Sequence, residues 1–156
     1  MQEDYEGRYR DGLLISSYTQ DELAIMVGAP TFSLLTAYQF DQLVGYCLLG
    51  PLAEYLELVD SSLLPPPNPT RADVYVLQVA AKYGLQRQGI GSALLAAAKM
   101  RATRGLVTDV LLAPIENVAS LHFFAANGFT ALGDLELAEY RTFGAMRSRA
   151  FEWLRS

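Results

Sequence analysis

Val79-Ala-Ala-Lys-Tyr-Gly-Leu-Gln-Arg-Gln-Gly-Ile-Gly-Ser-Ala-Leu-Leu95 reads as the end of a strand, a glycine-rich turn and the first turns of a helix. A helix start leaves several backbone amides without internal partners, and the helix dipole adds partial positive charge at the same end. The turn is therefore a ready anion site, suited to a phosphorylated ligand. Gly89 and Gly91 remove side chains that would keep a pyrophosphate off the backbone, while Lys82 and Arg87 offer positive charge nearby.

Two known phosphate patterns can be tested against this stretch. Gly84 and Gly89 have the spacing of a P-loop, but Ile90-Gly91 stands where that loop needs Lys followed by Ser or Thr. The phosphate lysine and the metal-binding hydroxyl are both missing, which argues against nucleoside triphosphate hydrolysis. A dinucleotide fingerprint needs a glycine three residues after Gly91, and Leu94 occupies that place.

Composition narrows the class. The chain has 156 residues and 17.2 kDa, the size of one domain, expected over 1–156. A net charge of −5 and a pI near 4.8, with scattered Lys and Arg, argue against nucleic-acid binding. Cys47 is the single cysteine, so an internal disulfide is excluded and a small buried apolar role is expected. His122 is the only histidine, and no ligand spacing suggests a metal. No signal-peptide pattern or apolar run of roughly 18 residues is present, so a soluble, cytoplasmic protein without a membrane partner is expected. Hydrophobic residues at 51% and charged ones at 19% leave room for a homo-oligomeric face, read as a homodimer.

Taken in order, Leu13-Leu-Ile15 suggests a short strand. Thr19-Gln-Asp-Glu22 is a capping box opening a helix over Gln20–Val27, which Gly28 would end in a left-handed conformation. Ser33–Phe40 and Leu43–Leu49 form a β-hairpin in outline, turning at Asp41-Gln42. Residues 51–71 are a Pro-rich insert: a helical face carries Leu52, Tyr55, Leu56, Leu58 and Val59, and Leu64–Pro69 is an extended connector. The connector reads as a stiff surface loop or as a lid.

Val74–Ala81 is apolar on both faces, as in a central strand. The helix after the glycine turn is expected over Ser92–Arg104, ended by Gly105, and Leu106–Ala113 returns as a second apolar strand. Strand, helix, strand predicts a parallel crossover. Asn117 or Ser120 caps another helix running to Asn127, Gly128 ends it, and Phe129 opens a further strand. Arg149–Leu154 alternates as a last strand, with an amphipathic helix as the alternative.

Gln86-Arg-Gln-Gly89-Ile-Gly91, followed by Ser-Ala-Leu-Leu, resembles the acyl-CoA pyrophosphate loop of the GNAT superfamily of N-acetyltransferases. Asn117, Ser120, Phe124 and Gly128-Phe129 resemble that family's second signature, and the likeness covers about residues 33–130. It implies an α/β (α+β) fold: a mixed, mostly antiparallel sheet with a central splayed pair of parallel strands, flanked by helices. It implies acetyl-CoA as co-substrate, no metal, and transfer of an acetyl group to the amine of a small molecule or protein.

Carried over from the family, the turn around Gln86, Arg87, Gln88, Gly89, Ile90, Gly91 and Ser92 would hold the pyrophosphate. Backbone at Val79 and Ala81 would pair with the pantetheine arm, and Asn117, Ser120 and Phe124 would flank it. Many relatives place a proton-donating tyrosine where Phe124 stands, and phenylalanine has no proton to give. Asp73 and Tyr75 are candidate base or relay residues, and His122 a candidate acid. The acidic chain favours a cationic acceptor such as a polyamine, an aminoglycoside or a lysine. A CoA-binding regulatory module without efficient transfer is the alternative function.

Overall fold

The computed structural model describes residues 18–65, 67–69, 71–140 and 144–156. The strand suggested at Leu13–Ile15 lies outside them. In chain order the elements are α1 (Gln20–Gly28), β1 (Ser33–Gln39), β2 (Gln42–Pro51), α2 (Leu52–Asp60), β3 (Val74–Ala81), α3 (Ile90–Arg101), β4 (Gly105–Ala113), α4 (Val118–Ala126), β5 (Thr130–Leu137) and β6 (Met146–Leu154). The strands make one sheet in the order β1-β2-β3-β4-β6-β5, antiparallel except for the β3–β4 pair. This is the α/β arrangement expected, and the C-terminal segment is a strand rather than a helix.

Local chemistry sets most boundaries. The capping box of α1 forms: Thr19 Oγ1 accepts from Glu22 N at 3.2 Å, and Glu22 Oε2 accepts from Thr19 N at 2.8 Å. Gly28 stays within the helix, and the chain leaves through an extended Ala29 (φ −85°, ψ 133°), so no left-handed terminator is used. In the hairpin the two central turn residues are Phe40 and Asp41, both left-handed (φ 49° and 64°), between the paired Gln39 and Gln42. A two-residue turn of that hand matches strand twist, which moves the turn one residue earlier than the sequence suggested.

The two faces of the sheet are covered differently. On one, α3 and α4 pack Leu94, Leu95, Ala98 and Phe124 against Cys47, Leu49, Val76, Leu106 and Val110. On the other, Tyr55 and Val59 of α2 meet Tyr75, Val107, Leu135 and Ala150. The Pro-rich connector is tied down there: Tyr55 Oη donates to Pro67 O at 2.8 Å, and Leu63 N to Glu136 O at 2.8 Å. Glu152 Oε1 accepts from the amides of Arg71 and Ala72, at 3.1 Å each. These bonds to the body of the fold support the stiff-loop reading over the lid.

Candidate active site

The parallel pairing that builds the site is short. β3 and β4 are in register only at Val74 with Leu106 and Tyr75 with Val107, and beyond that point the strands part. Two features mark the opening. Leu77 is an extra residue between the partners of Leu48 and Leu49, a β-bulge that turns the strand. Thr108 Oγ1 donates to Val76 O at 3.0 Å, so a side chain takes a carbonyl at the fork. Between the strands lies an open cleft of about 680 Å³, bounded by Tyr75 to Val79, Thr108 to Leu111, and the α4 side chains Ser120, Phe123 and Phe124.

At the end of β3 the glycine turn delivers the start of α3. Gly89 occupies the cap position in a left-handed conformation (φ 82°), and no side chain caps the helix. The first amides of α3 therefore lack a capping acceptor, which is the arrangement an anion satisfies. Arg87 is also left-handed (φ 63°), and Gln86 Oε1 accepts from Gly84 N at 2.7 Å, so the Gln86 side chain shapes the turn. Gly91 has a packing reason beside any ligand: a Cβ there would sit 3.1 Å from Phe123 Cε2 on α4. A side chain there would press the Phe123 ring back by a few tenths of an ångström.

The far wall is held by caps and rings. Asn117 is buried, and its Oδ1 accepts from Ser120 N at 3.1 Å to start α4; Ser120 is a first-turn residue and not the cap. Asn127 Nδ2 donates to Phe123 O at 2.8 Å and to Ser92 Oγ at 3.3 Å, joining the end of α4 to the start of α3. Sequence reading did not single out that bridge. Phe124 is a core ring, edge-on to Phe123 and Phe129 with centroids 5.1 Å away in each case, and it lines the cleft with one side.

The candidate proton-transfer residues separate. Asp73 is at the paired end of β3, not in the cleft lining. Its carboxylate accepts from Thr103 N (3.1 Å), Arg104 N (2.9 Å) and Gly105 N (2.9 Å). Burial pushes its pKa up, but the backbone amides outweigh that and hold it below the ordinary carboxylate value. That carboxylate is engaged as a structural cap at the start of β4. His122 is exposed on α4 and does not line the cleft, whereas its neighbours Phe123 and Phe124 do. The helical spacing turns it away from the described lining.

Tyr75 does face the cleft, and it brings a partner with it. Its Oη donates to Asp109 Oδ1 at 2.6 Å. Burial pushes the Tyr75 phenol well up, and the Asp109 charge adds to the effect. Burial likewise raises the Asp109 carboxyl above its ordinary value, partly opposed by the bond from Tyr75. Asp109 lies inside the apolar run Leu106–Ala113, and that misfit was the available signal for it. Gln78 and Tyr46 add a second polar pair nearby: Tyr46 Oη donates to Gln78 Oε1 at 2.9 Å.

The sheet is parted between two parallel strands, with an uncapped helix N-terminus at the mouth of the opening. The chain belongs to the acetyltransferase (GNAT) family, whose sequence profile matches residues 1–129. No curated protein matches the sequence. Solved structures share the fold at low identity. NAA60 from Arabidopsis thaliana in complex with a bisubstrate analogue is 18% identical, with a TM-score of 0.67 over 97% of this chain and 91% of that one. The same protein with acetyl-CoA gives 16% identity and a TM-score of 0.67 over 98% and 93%. The ribosomal-protein-S18-alanine N-acetyltransferase from Escherichia coli gives 14% and 0.65 over 100% and 90%. Among the described residues no helix is long and apolar enough to cross a membrane, and no group of three or more His, Cys, Asp or Glu could hold a metal.

Proposed function

We propose that this chain transfers an acetyl group from acetyl-CoA to a primary amine by direct attack in a ternary complex. The observation that carries this reading is the uncapped start of α3 at the mouth of the parted β3–β4 pair. An anionic pyrophosphate and an extended amide-bearing arm fit those two features in that order. On this reading the amides of Gln88, Gly89, Ile90, Gly91 and Ser92 hold the pyrophosphate, with Arg87 adding charge and Gln86 fixing the turn. Val79 and Ala81 offer backbone to the arm, and Asn117, Ser120 and Phe124 flank it from α4.

The chemistry asked of the protein is modest. The amine nitrogen attacks the thioester carbon, the carbonyl electron pair moves to oxygen, and collapse expels sulfur as a thiolate. On this reading backbone amides around the β3 bulge stabilise the oxyanion. A thiol pKa of about 8.5 makes the thiolate a tolerable leaving group without a dedicated acid, which accommodates Phe124. The acidic net charge favours a cationic amine acceptor, whether a small molecule or a protein amine. The proposal extends to a single cytoplasmic domain that pairs as a homodimer.

Phe124 is the observation that favours a second reading, a CoA-binding regulatory module that transfers poorly. Purified protein incubated with acetyl-CoA and a panel of polyamines, aminoglycosides and peptides, read by thiol release and product mass, separates the two. Acetylation of at least one amine is expected. Tight acetyl-CoA binding with no amine consumed would replace the transferase by the binding module.

A further inference from the structure

Given the transfer reaction proposed above, we infer that Asp109 is the catalytic base, accepting the proton of the incoming ammonium, and that Tyr75 is its positioning residue. Asp109 stands on β4 two residues beyond Val107, the last residue paired with β3, so it occupies the wall of the cleft where the strands have just opened. It is only partly buried and reaches the cleft, so a proton taken there can pass on to solvent. Asp73, the other carboxylate considered, stands just before β3 and is committed to three backbone amides in the link between α3 and β4.

Among the described residues, Tyr75 and Ser148 act on the carboxyl of Asp109. From β3, Tyr75 donates one hydrogen bond of 2.6 Å to Oδ1. From β6, the fully buried Ser148 hydroxyl faces the same carboxyl and lowers its pKa in part, though among the described residues it has no partner in hydrogen-bond geometry. Tyr140, from the connection before β6, lines the cleft and lies close enough to raise the Tyr75 phenol, as does Tyr18. Tyr55 of α2 feels the charges of both Asp109 and Glu152. Among the described residues, no lysine, arginine or histidine acts on Asp109. A cationic amine entering this cleft is therefore drawn to Asp109, the one carboxylate in its lining among the described residues.

The proton balance closes with one carboxylate. An ammonium gives a proton to Asp109 and becomes an amine with a free pair. That pair forms the C–N bond, and the C–S bond breaks with its electrons on sulfur. The second proton leaves the new amide nitrogen for the thiolate or water, and Asp109 returns its own proton to solvent. Burial raises the carboxyl above its ordinary value, and the Tyr75 bond partly opposes that shift.

The test compares wild type, Asp109→Asn and Tyr75→Phe in steady-state transfer across pH, with acetyl-CoA affinity measured by calorimetry on each. For Asp109→Asn, kcat is expected to fall about 100-fold with acetyl-CoA affinity unchanged, since a general base contributes ~10² or more. The acid limb of the wild-type kcat/KM profile should disappear in that variant. Tyr75→Phe keeps the carboxylate and removes a bond that lowers its pKa, so its acid limb should move to higher pH, a shift that a packing defect does not produce. Asp109→Asn retaining wild-type kcat, or an unmoved limb in Tyr75→Phe, overturns the assignment while leaving the transferase reading intact. A wild type that binds acetyl-CoA and acetylates no amine overturns both together.

Discussion

Asp73 offers the sharpest test of how this fold divides structure from chemistry. Its carboxylate receives three amides, from Thr103, Arg104 and Gly105, in the link where α3 gives way to β4. Asp73→Ala leaves all three without a protein acceptor. Because the position is partly exposed, water replaces part of each bond, and we expect a loss of ~2 kcal/mol rather than the sum of three charge-assisted bonds. For a chain of this size that corresponds to a fall in Tm of about 4–8 °C. Asp73→Asn can keep Oδ1 for Arg104 and Gly105, so its loss should be about half as large. The folded-state pKa of Asp73 is depressed, so its contribution is complete above the ordinary value of 3.8 and is lost as pH falls through the lower folded value. Thermal unfolding of wild type and Asp73→Ala between pH 2 and 7 should therefore show a gap that closes at the acid end. Transfer activity per folded molecule should stay within twofold of wild type. A large fall in kcat with Tm unchanged would refute this reasoning and return Asp73 to the reaction.

Three further outcomes follow from single contacts. Gly89→Val places a β-branched side chain at φ 82° over the uncapped amides; the strain of ~1–2 kcal/mol and the lost access should weaken acetyl-CoA binding at least ~10-fold by calorimetry, and unchanged affinity would move the pyrophosphate elsewhere. Tyr55→Phe removes the donor to Pro67 O in a fully buried setting, so urea unfolding should show a loss of ~1–2 kcal/mol, with a neutral result showing that the Pro-rich segment is not held by this bond. His122→Ala, on the exposed side of α4, should leave kcat and its pH profile within twofold, and a lost limb would make the histidine the acid after all.

Sequence periodicity was enough for β3, whose observed span of Val74–Ala81 is the one expected, because a strand buried on both faces is written in consecutive apolar residues. The ends of α3 were displaced for nonlocal reasons. It begins at Ile90 because left-handed Gly89 serves as its cap, and it ends at Arg101 because the next amides turn to Asp73, a residue 30 to 32 positions earlier. Gly105 consequently opens β4 instead of closing the helix. The pairing of Tyr75 with Asp109 spans 34 positions and exists only once the parallel register is set, so the sequence could offer the tyrosine and mark Asp109 as a misfit but not join the two.

The parting of β3 and β4 carries its own consequence for ligand binding. Past Tyr75 and Val107 the two strands have no mutual register, yet both keep the extended backbone of a sheet. Backbone groups left without a ladder must be met by water or by a ligand, and an extended chain bearing amides can take the place of a missing strand. The pantetheine arm has that form, whereas 3′-phospho-ADP keeps the pyrophosphate and lacks the arm. If the cleft completes its ladder with the ligand, CoA should bind at least ~10-fold more tightly than 3′-phospho-ADP, the worth of one or two net hydrogen bonds. Equal affinities in calorimetry would mean that the start of α3 holds the ligand alone and that the opened strands contribute nothing to binding.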